Sequence, residues 1–153
     1  PRYVPKRVKH EESVQRMVCS YLKLQFPHVI FRSDYASGLH LTQNQAMMHK
    51  ALQSSRAWPD LFIYEPRTVI DKEGKEVFYC GMALELKREG TTIIVTRGER
   101  KGHLTSDPHI QEQFLMLKDL ARKGYYTNFA VGFDEAQKII DWYFGRPENS
   151  ALF

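Results

Sequence analysis

Between Glu11 and about Gln25 the apolar residues fall at Val14, Met17, Val18, Tyr21 and Leu22, the spacing of an amphipathic helix, which Pro27 closes. Val29, Ile30 and Phe31 then read as a short strand. Past Gly38 a second helix is predicted. Thr42 with Gln45 three positions on has the pattern of a capping box, ahead of Met47, Met48, Ala51 and Leu52, and the helix is expected to end near Ser54 and Ser55. Asp60 to Tyr64 is a compact apolar run entered through Pro59, whose missing amide hydrogen suits the first position of a strand. A turn over Asp71 to Lys75, around Gly74, leads to a long alternating stretch from Phe78 to Lys87. Phe78, Cys80, Met82, Leu84 and Leu86 occupy one face of it, and Tyr79, Gly81, Ala83, Glu85 and Lys87 the other. The two strands are expected to pair as a hairpin.

Glu89 to Ser106 is rich in Gly, Thr and charge and reads as a mobile surface loop with strand-like residues at Ile93 to Val95. Pro108 suits the first turn of a third helix with Ile110, Phe114, Leu117, Leu120 and Ala121 inward and Gly124 at its end. Tyr125 to Val131 makes a last strand. Asp134 is placed to cap a final helix carrying Ala136, Ile139, Ile140, Tyr143 and Phe144, stopped by Gly145 and Pro147. The order helix, strand, helix, strand, strand, helix, strand, helix predicts an α/β fold, a mixed central sheet flanked by helices on both faces. At 153 residues it fits one domain, with a core over about 11–144 and a basic N-terminal arm.

Composition narrows the classes. No apolar run approaches the roughly 20 residues that span a bilayer, and the N-terminal Arg2, Lys6, Arg7 and Lys9 are not followed by the apolar stretch of a secretory signal. An intracellular protein without a membrane partner is therefore expected. Cys19 and Cys80 form no CxxC pair and read as reduced core residues, and the six histidines show no zinc-ligand spacing. A net charge of +4 favours an anionic partner without identifying it.

The chemistry lies where charges interrupt the strands. Glu85 and Lys87 share a strand face with the small residues Ala83 and Gly81, and Asp60 at the start of the neighbouring strand can supply a second carboxylate. A buried ion loses hydration worth several kcal/mol, so a cation or a partner network has to offset it. Two converging carboxylates suit a hard divalent ion such as Mg²⁺. Taken by itself Glu-x-Lys is common, and on the tripeptide alone a solvated pair on an edge strand with Asp60 capping a turn is the better reading.

The context is more specific. Trp58-Pro59-Asp60, a strand, a turn and then Leu84-Glu85-Leu86-Lys87 resembles the bipartite signature of the PD-(D/E)xK nuclease superfamily. With the N-terminal Glu-bearing helix, the Gln-containing helix ending in Gly and the strand leading to Asp134-Glu135-Ala136, the chain resembles the VRR-NUC family over about residues 11–144. Arg56-Ala57-Trp58 departs from it, since that family usually has Gly close to its Pro-Asp.

The resemblance implies a restriction-endonuclease-like core and metal binding by Asp60, Glu85 and the main-chain carbonyl of Leu86. It further implies catalysis by Lys87, with a Glu of the first helix and a Gln of the third completing the site. Glu11 is preferred over Glu12 because it shares the face of Val14 and Val18, while Glu12 points away with Gln15 and Arg16; compensation of the helix dipole explains a first-turn Glu equally well. Gln113 is preferred over Gln111 because it lies among Ile110 and Leu117, where a Gln satisfied by backbone is the alternative. Arg88, Arg97, Arg100, Lys101, Arg32 and Lys50 are the candidate DNA contacts. The implied activity is Mg²⁺-dependent cleavage, with Mn²⁺ a substitute, of branched, Holliday-junction-like DNA by a homodimer. A flap or nicking nuclease and a non-catalytic nucleic-acid-binding module are the alternatives.

Overall fold

A computed structural model describes residues 11–34 and 40–147. Its elements are α1 (Glu11–Gln25), β1 (Phe31–Ser33), α2 (Gln43–Ala51), β2 (Leu61–Ile63), β3 (Arg67–Ile70), β4 (Glu76–Tyr79), β5 (Gly81–Lys87), α3 (Pro108–Arg122), β6 (Tyr125–Val131) and α4 (Phe133–Tyr143). The main sheet has the order β1-β2-β5-β6. β1 and β5 flank β2 antiparallel, and β6 runs parallel to β5 with α3 as the crossover. All seven residues of β5 are buried, as befits a central strand covered on both faces.

On one face Val14, Val18 and Leu22 of α1 meet Ala136, Ile140 and Tyr143 of α4 over Leu61, Ile63, Met82, Leu84, Leu86 and Ala130 of the sheet. On the other, Ile110 and Leu117 of α3 pack on Phe129, with Ile93 and Leu104 of the preceding loop at the margin. The mixed sheet between helices matches the expected fold class.

Several elements differ from expectation. The stretch from Phe78 to Lys87 is two strands: β4 pairs with β3 in a separate ribbon, and β5 enters the main sheet. The switch falls at Cys80, whose amide donates to the Gly124 carbonyl at 2.8 Å. The predicted turn joins β3 to β4, held by Asp71 Oδ1 accepting from the amides of Glu73 and Lys75. β2 and β5 do pair antiparallel, but the ribbon intervenes and they are no simple hairpin. The first strand lies at Phe31–Ser33, two residues beyond the predicted start.

The Thr42 capping box forms as expected, yet α2 ends at Ala51 and has no buried residue, so Met47, Met48 and Leu52 stay exposed. On α3, Phe114 and Ala121 face outward, and of the two cysteines expected in the core Cys19 is half-buried and Cys80 exposed. Asp134 is a first-turn residue of α4; Gly132 is the N-cap, at φ 82°. A side chain at that glycine would be strained, and its Cβ would meet Glu89 Cγ at 2.9 Å. The segment 89–106 folds back as a hairpin, with Val95 donating to the His103 carbonyl and Thr105 to that of Ile93. Among the described residues, no helix is long and apolar enough to cross a membrane.

Candidate active site

Leu61 lies opposite Leu84, and Phe62 opposite Ala83. One step further puts Asp60 opposite Glu85, on the sheet face of Phe62 and Ala83, because alternate residues of a strand share a face. Gln113 reaches the same point from α3. Among the described residues the buried polar or charged ones are Asp60, Glu85, Lys87 and Gln113, at 7%, 2%, 3% and 5% exposure. All four converge on this place. Folding has therefore concentrated its desolvation of polar side chains at one site.

Glu85 Oε1 accepts from Lys87 Nζ at 3.0 Å and from Gln113 Nε2 in a short hydrogen bond. Glu85 Oε2 is buried and receives no hydrogen bond, with the Asp60 carboxyl as its neighbour, and Gln113 Oε1 is buried without a partner. Burial first, and the Asp60 carboxylate second, push the Glu85 carboxyl up to about 9, against the opposing pull of Lys87. Desolvation outweighs the ion pair, which favours the protonated form of Glu85 in the metal-free protein.

Asp60 is held at both ends. Its Oδ2 accepts from the Leu86 amide at 2.9 Å, and its carbonyl accepts from the Asp34 amide and Ser33 Oγ, each at 2.9 Å. Gln15 Nε2 of α1 donates to Ser33 Oγ at 2.6 Å and to the Asp34 carbonyl at 2.7 Å. Gln15 therefore points toward the site, contrary to expectation, and braces the backbone on which Asp60 sits. Gly81 permits close approach rather than keeping space open, since a Cβ there would lie 2.7 Å from the Ile63 carbonyl oxygen.

Whether a cation fits can be judged from the donors. Among the described residues no three His, Cys, Asp or Glu side chains cluster as a ligand set, so the two carboxylates need a main-chain companion. The Leu86 amide points toward Asp60, and in an extended strand a residue's N–H and C=O leave from the same side. The register carries Pro59 opposite Leu86, and proline has no amide to donate to that carbonyl. An unpartnered Glu85 oxygen, an Asp60 oxygen and the Leu86 carbonyl thus form an all-oxygen donor set of the kind Mg²⁺ takes.

The Glu11 expectation rests on a side chain outside the described residues. Gln113 stands in the site, whereas Gln111 donates to the Thr105 carbonyl outside it. His109, which sequence reasoning passed over, contacts Gln113 Nε2 through its Nε2 at 3.1 Å; its position four residues before Gln113 on one helix face was the available signal. Of the basic residues, Arg88, Arg97, Arg100 and Lys101 are exposed on and around the hairpin after β5, while Arg32 on β1 and Lys50 on α2 are exposed on the other side of Asp60. Arg100 donates to the Leu104 carbonyl at 3.1 Å, which ties it to its own hairpin.

No protein-family model and no curated protein matches the chain. Among solved structures it is similar to a "VRR_NUC domain protein", with 21% sequence identity, coverage of 92% of each chain and a TM-score of 0.54. The two share a fold.

Proposed function

We propose that this chain is a VRR-NUC-type nuclease that hydrolyses DNA phosphodiesters with the help of a divalent cation. The observation that carries the reading is the convergence of Asp60, Glu85, Lys87 and Gln113, all buried, around one unpartnered carboxylate oxygen. A structural ion pair would be expected to satisfy both of its oxygens; a ligand site leaves one open.

Asp60, Glu85 and the Leu86 carbonyl would hold Mg²⁺, or Mn²⁺ in its place. The cation supplies Lewis acidity toward a phosphate oxygen and lowers the pKa of water. Lys87 Nζ, fixed against Glu85, stands where it can orient the attacking water or stabilise charge developing on the phosphate. Gln113 holds Glu85 in place through Oε1 and leaves Oε2 free. Gln15 and Ser33 keep Asp60 at its station. The buried Glu85 must release its proton when the cation arrives, as ligand carboxylates do.

The preferred substrate in this reading is branched DNA, contacted along its backbone by Arg88, Arg97, Arg100, Lys101, Arg32 and Lys50. A twofold homodimer would present two equivalent sites for two strands. The test is cleavage of labelled four-way, flapped, nicked and linear duplex DNA with Mg²⁺ or with chelator. Mg²⁺-dependent cutting that favours the four-way form is expected. Preference for flaps or nicks would reassign the substrate, and binding without cutting of any form would leave a non-catalytic module.

A further inference from the structure

The catalytic sheet face continues past Asp60 into an aromatic cleft. α3 packs on β6 and β5, while the side chains of Arg32 on β1 and of Tyr64, just past the end of β2, remain exposed. Arg32 lies directly opposite Phe62, so both project from the face that carries Asp60. Phe62 and Tyr64 stack nearly parallel, with centroids 5.9 Å apart and planes at 19°, and the Trp58 ring sits 5.5 Å from Phe62. These rings and Arg32 line an open cavity of about 440 Å³ that reaches Asp34 and Pro59, the neighbours of Asp60. At about 3.3 Å per strand residue, Phe62 lies about 7 Å from Asp60 and Tyr64 about 13 Å. That is the reach of one or two nucleotides from a phosphate held at the carboxylates.

We infer that this cleft is a nucleobase subsite, which takes an unpaired base next to the scissile phosphate, stacks it on the Phe62 and Tyr64 rings and meets its backbone with Arg32. The inference rests on the nuclease reading and narrows its branched substrate: the branch point must leave a base unpaired beside the cut. A planar, uncharged base with an anionic tether matches what the cleft offers, flat aromatic faces with a cation at the rim. A second copy of the chain fits less well. Of the exposed apolar residues of α2 and its C-cap that self-association would use, Leu52 lines the cavity but Met47 and Met48 do not, and the polar Asp34, His49 and Gln53 make up more of its wall. In a duplex both faces of each base are already occupied, so duplex DNA gains nothing from such rings.

The test is binding in chelator, which removes cutting from the measurement. The probes are a duplex with a short single-stranded gap carrying 2-aminopurine and the fully paired duplex of equal length. The wild-type protein is expected to bind the gapped DNA more tightly and to quench the aminopurine. Tyr64→Ala and Phe62→Leu should weaken gapped-DNA binding on the order of 5- to 100-fold, leaving duplex binding within about twofold. Tyr64→Phe, which keeps the ring, should retain the preference. Arg32→Ala should flatten the salt dependence on gapped DNA by about 0.7 in log–log slope. Tyr64 is 48% exposed, so its truncation leaves the core intact. Equal weakening on both probes, no weakening on either, or a change in the sedimentation mass of free Tyr64→Ala protein would overturn the subsite. Failure of the nuclease reading shows elsewhere, as absent Mg²⁺-dependent cleavage by the wild type, and leaves base-dependent binding untouched.

Discussion

Replacing Glu85 with Gln in the metal-free protein should change the pH dependence of folding in a defined direction. In the folded state burial and the Asp60 carboxylate raise this carboxyl from 4.5 to about 9. Between those values the native state holds a proton that the unfolded chain has released, so native stability falls as pH rises. The stabilisation from this group is fully present below about 4.5 and is lost as pH climbs through about 9. One titrating group gives a slope of at most about 1.4 kcal/mol per pH unit, or up to about 3 kcal/mol between about pH 5.5 and about pH 7.5. Gln mimics the protonated acid and does not titrate. Urea unfolding of both proteins in chelator, from about pH 5.5 to about pH 8.5, should show Glu85→Gln overtaking the wild type as pH rises, with the gap widening at about that rate. Saturating Mg²⁺ should flatten the wild-type curve, because the cation takes the deprotonated ligand. Parallel curves for the two proteins in chelator would refute the reasoning: Glu85 would then be ionised in the folded state and paired by Lys87 alone.

Three further outcomes are expected. Lys87→Ala should bind Mg²⁺ and DNA but cut on the order of 10²- to 10³-fold more slowly, measured by single-turnover cleavage, and unchanged turnover would remove Lys87 from the chemistry. Arg97→Ala, Arg100→Ala and Lys101→Ala combined should weaken binding about equally for different sequences and flatten the log K against log salt line by about 0.9 per lost duplex contact; an unaltered slope would take the hairpin off the DNA path. Gly81→Ala should destabilise the fold by about 1–3 kcal/mol in denaturant unfolding, because its Cβ would press on the Ile63 carbonyl, and a neutral result would show that β2 and β5 can part there.

The elements that were legible in advance are those whose local pattern and burial agree. α1, α3 and β6 form where their patterns place them, though Met17, Phe114 and Ala121 at the margins of the helix faces stay exposed, and the Thr42 box caps α2 as its sequence spacing requires. The site was legible for a related reason: strand alternation puts Asp60, Glu85 and Lys87 on one face, and helical spacing puts Gln113 among Ile110 and Leu117. What escaped depends on long-range partners. The division of β4 from β5 is made by Cys80 donating to Gly124, over forty positions later in the chain, and nothing in the alternation at Cys80 marks it. The Met47, Met48 and Leu52 face of α2 has the right period, but among the described residues no element covers it. The apolar neighbours of Gln15 alone place it on the outward face of α1, while its partners come from Ser33 at the end of β1 and from Asp34 just beyond. The Phe62 and Tyr64 cleft likewise exists only once β1, β2 and α2 are assembled.

The central claim is that Asp60 and Glu85 form a cation-dependent hydrolytic centre. Cleavage of one labelled branched DNA by the wild type and by Asp60→Asn, each titrated with Mg²⁺, tests it most directly. Cutting by the wild type should rise with Mg²⁺ and vanish with chelator, and Asp60→Asn should not cut at any Mg²⁺ concentration while its far-ultraviolet circular dichroism stays unchanged. Full Mg²⁺-dependent activity in Asp60→Asn, or wild-type cutting that persists in chelator, would contradict it.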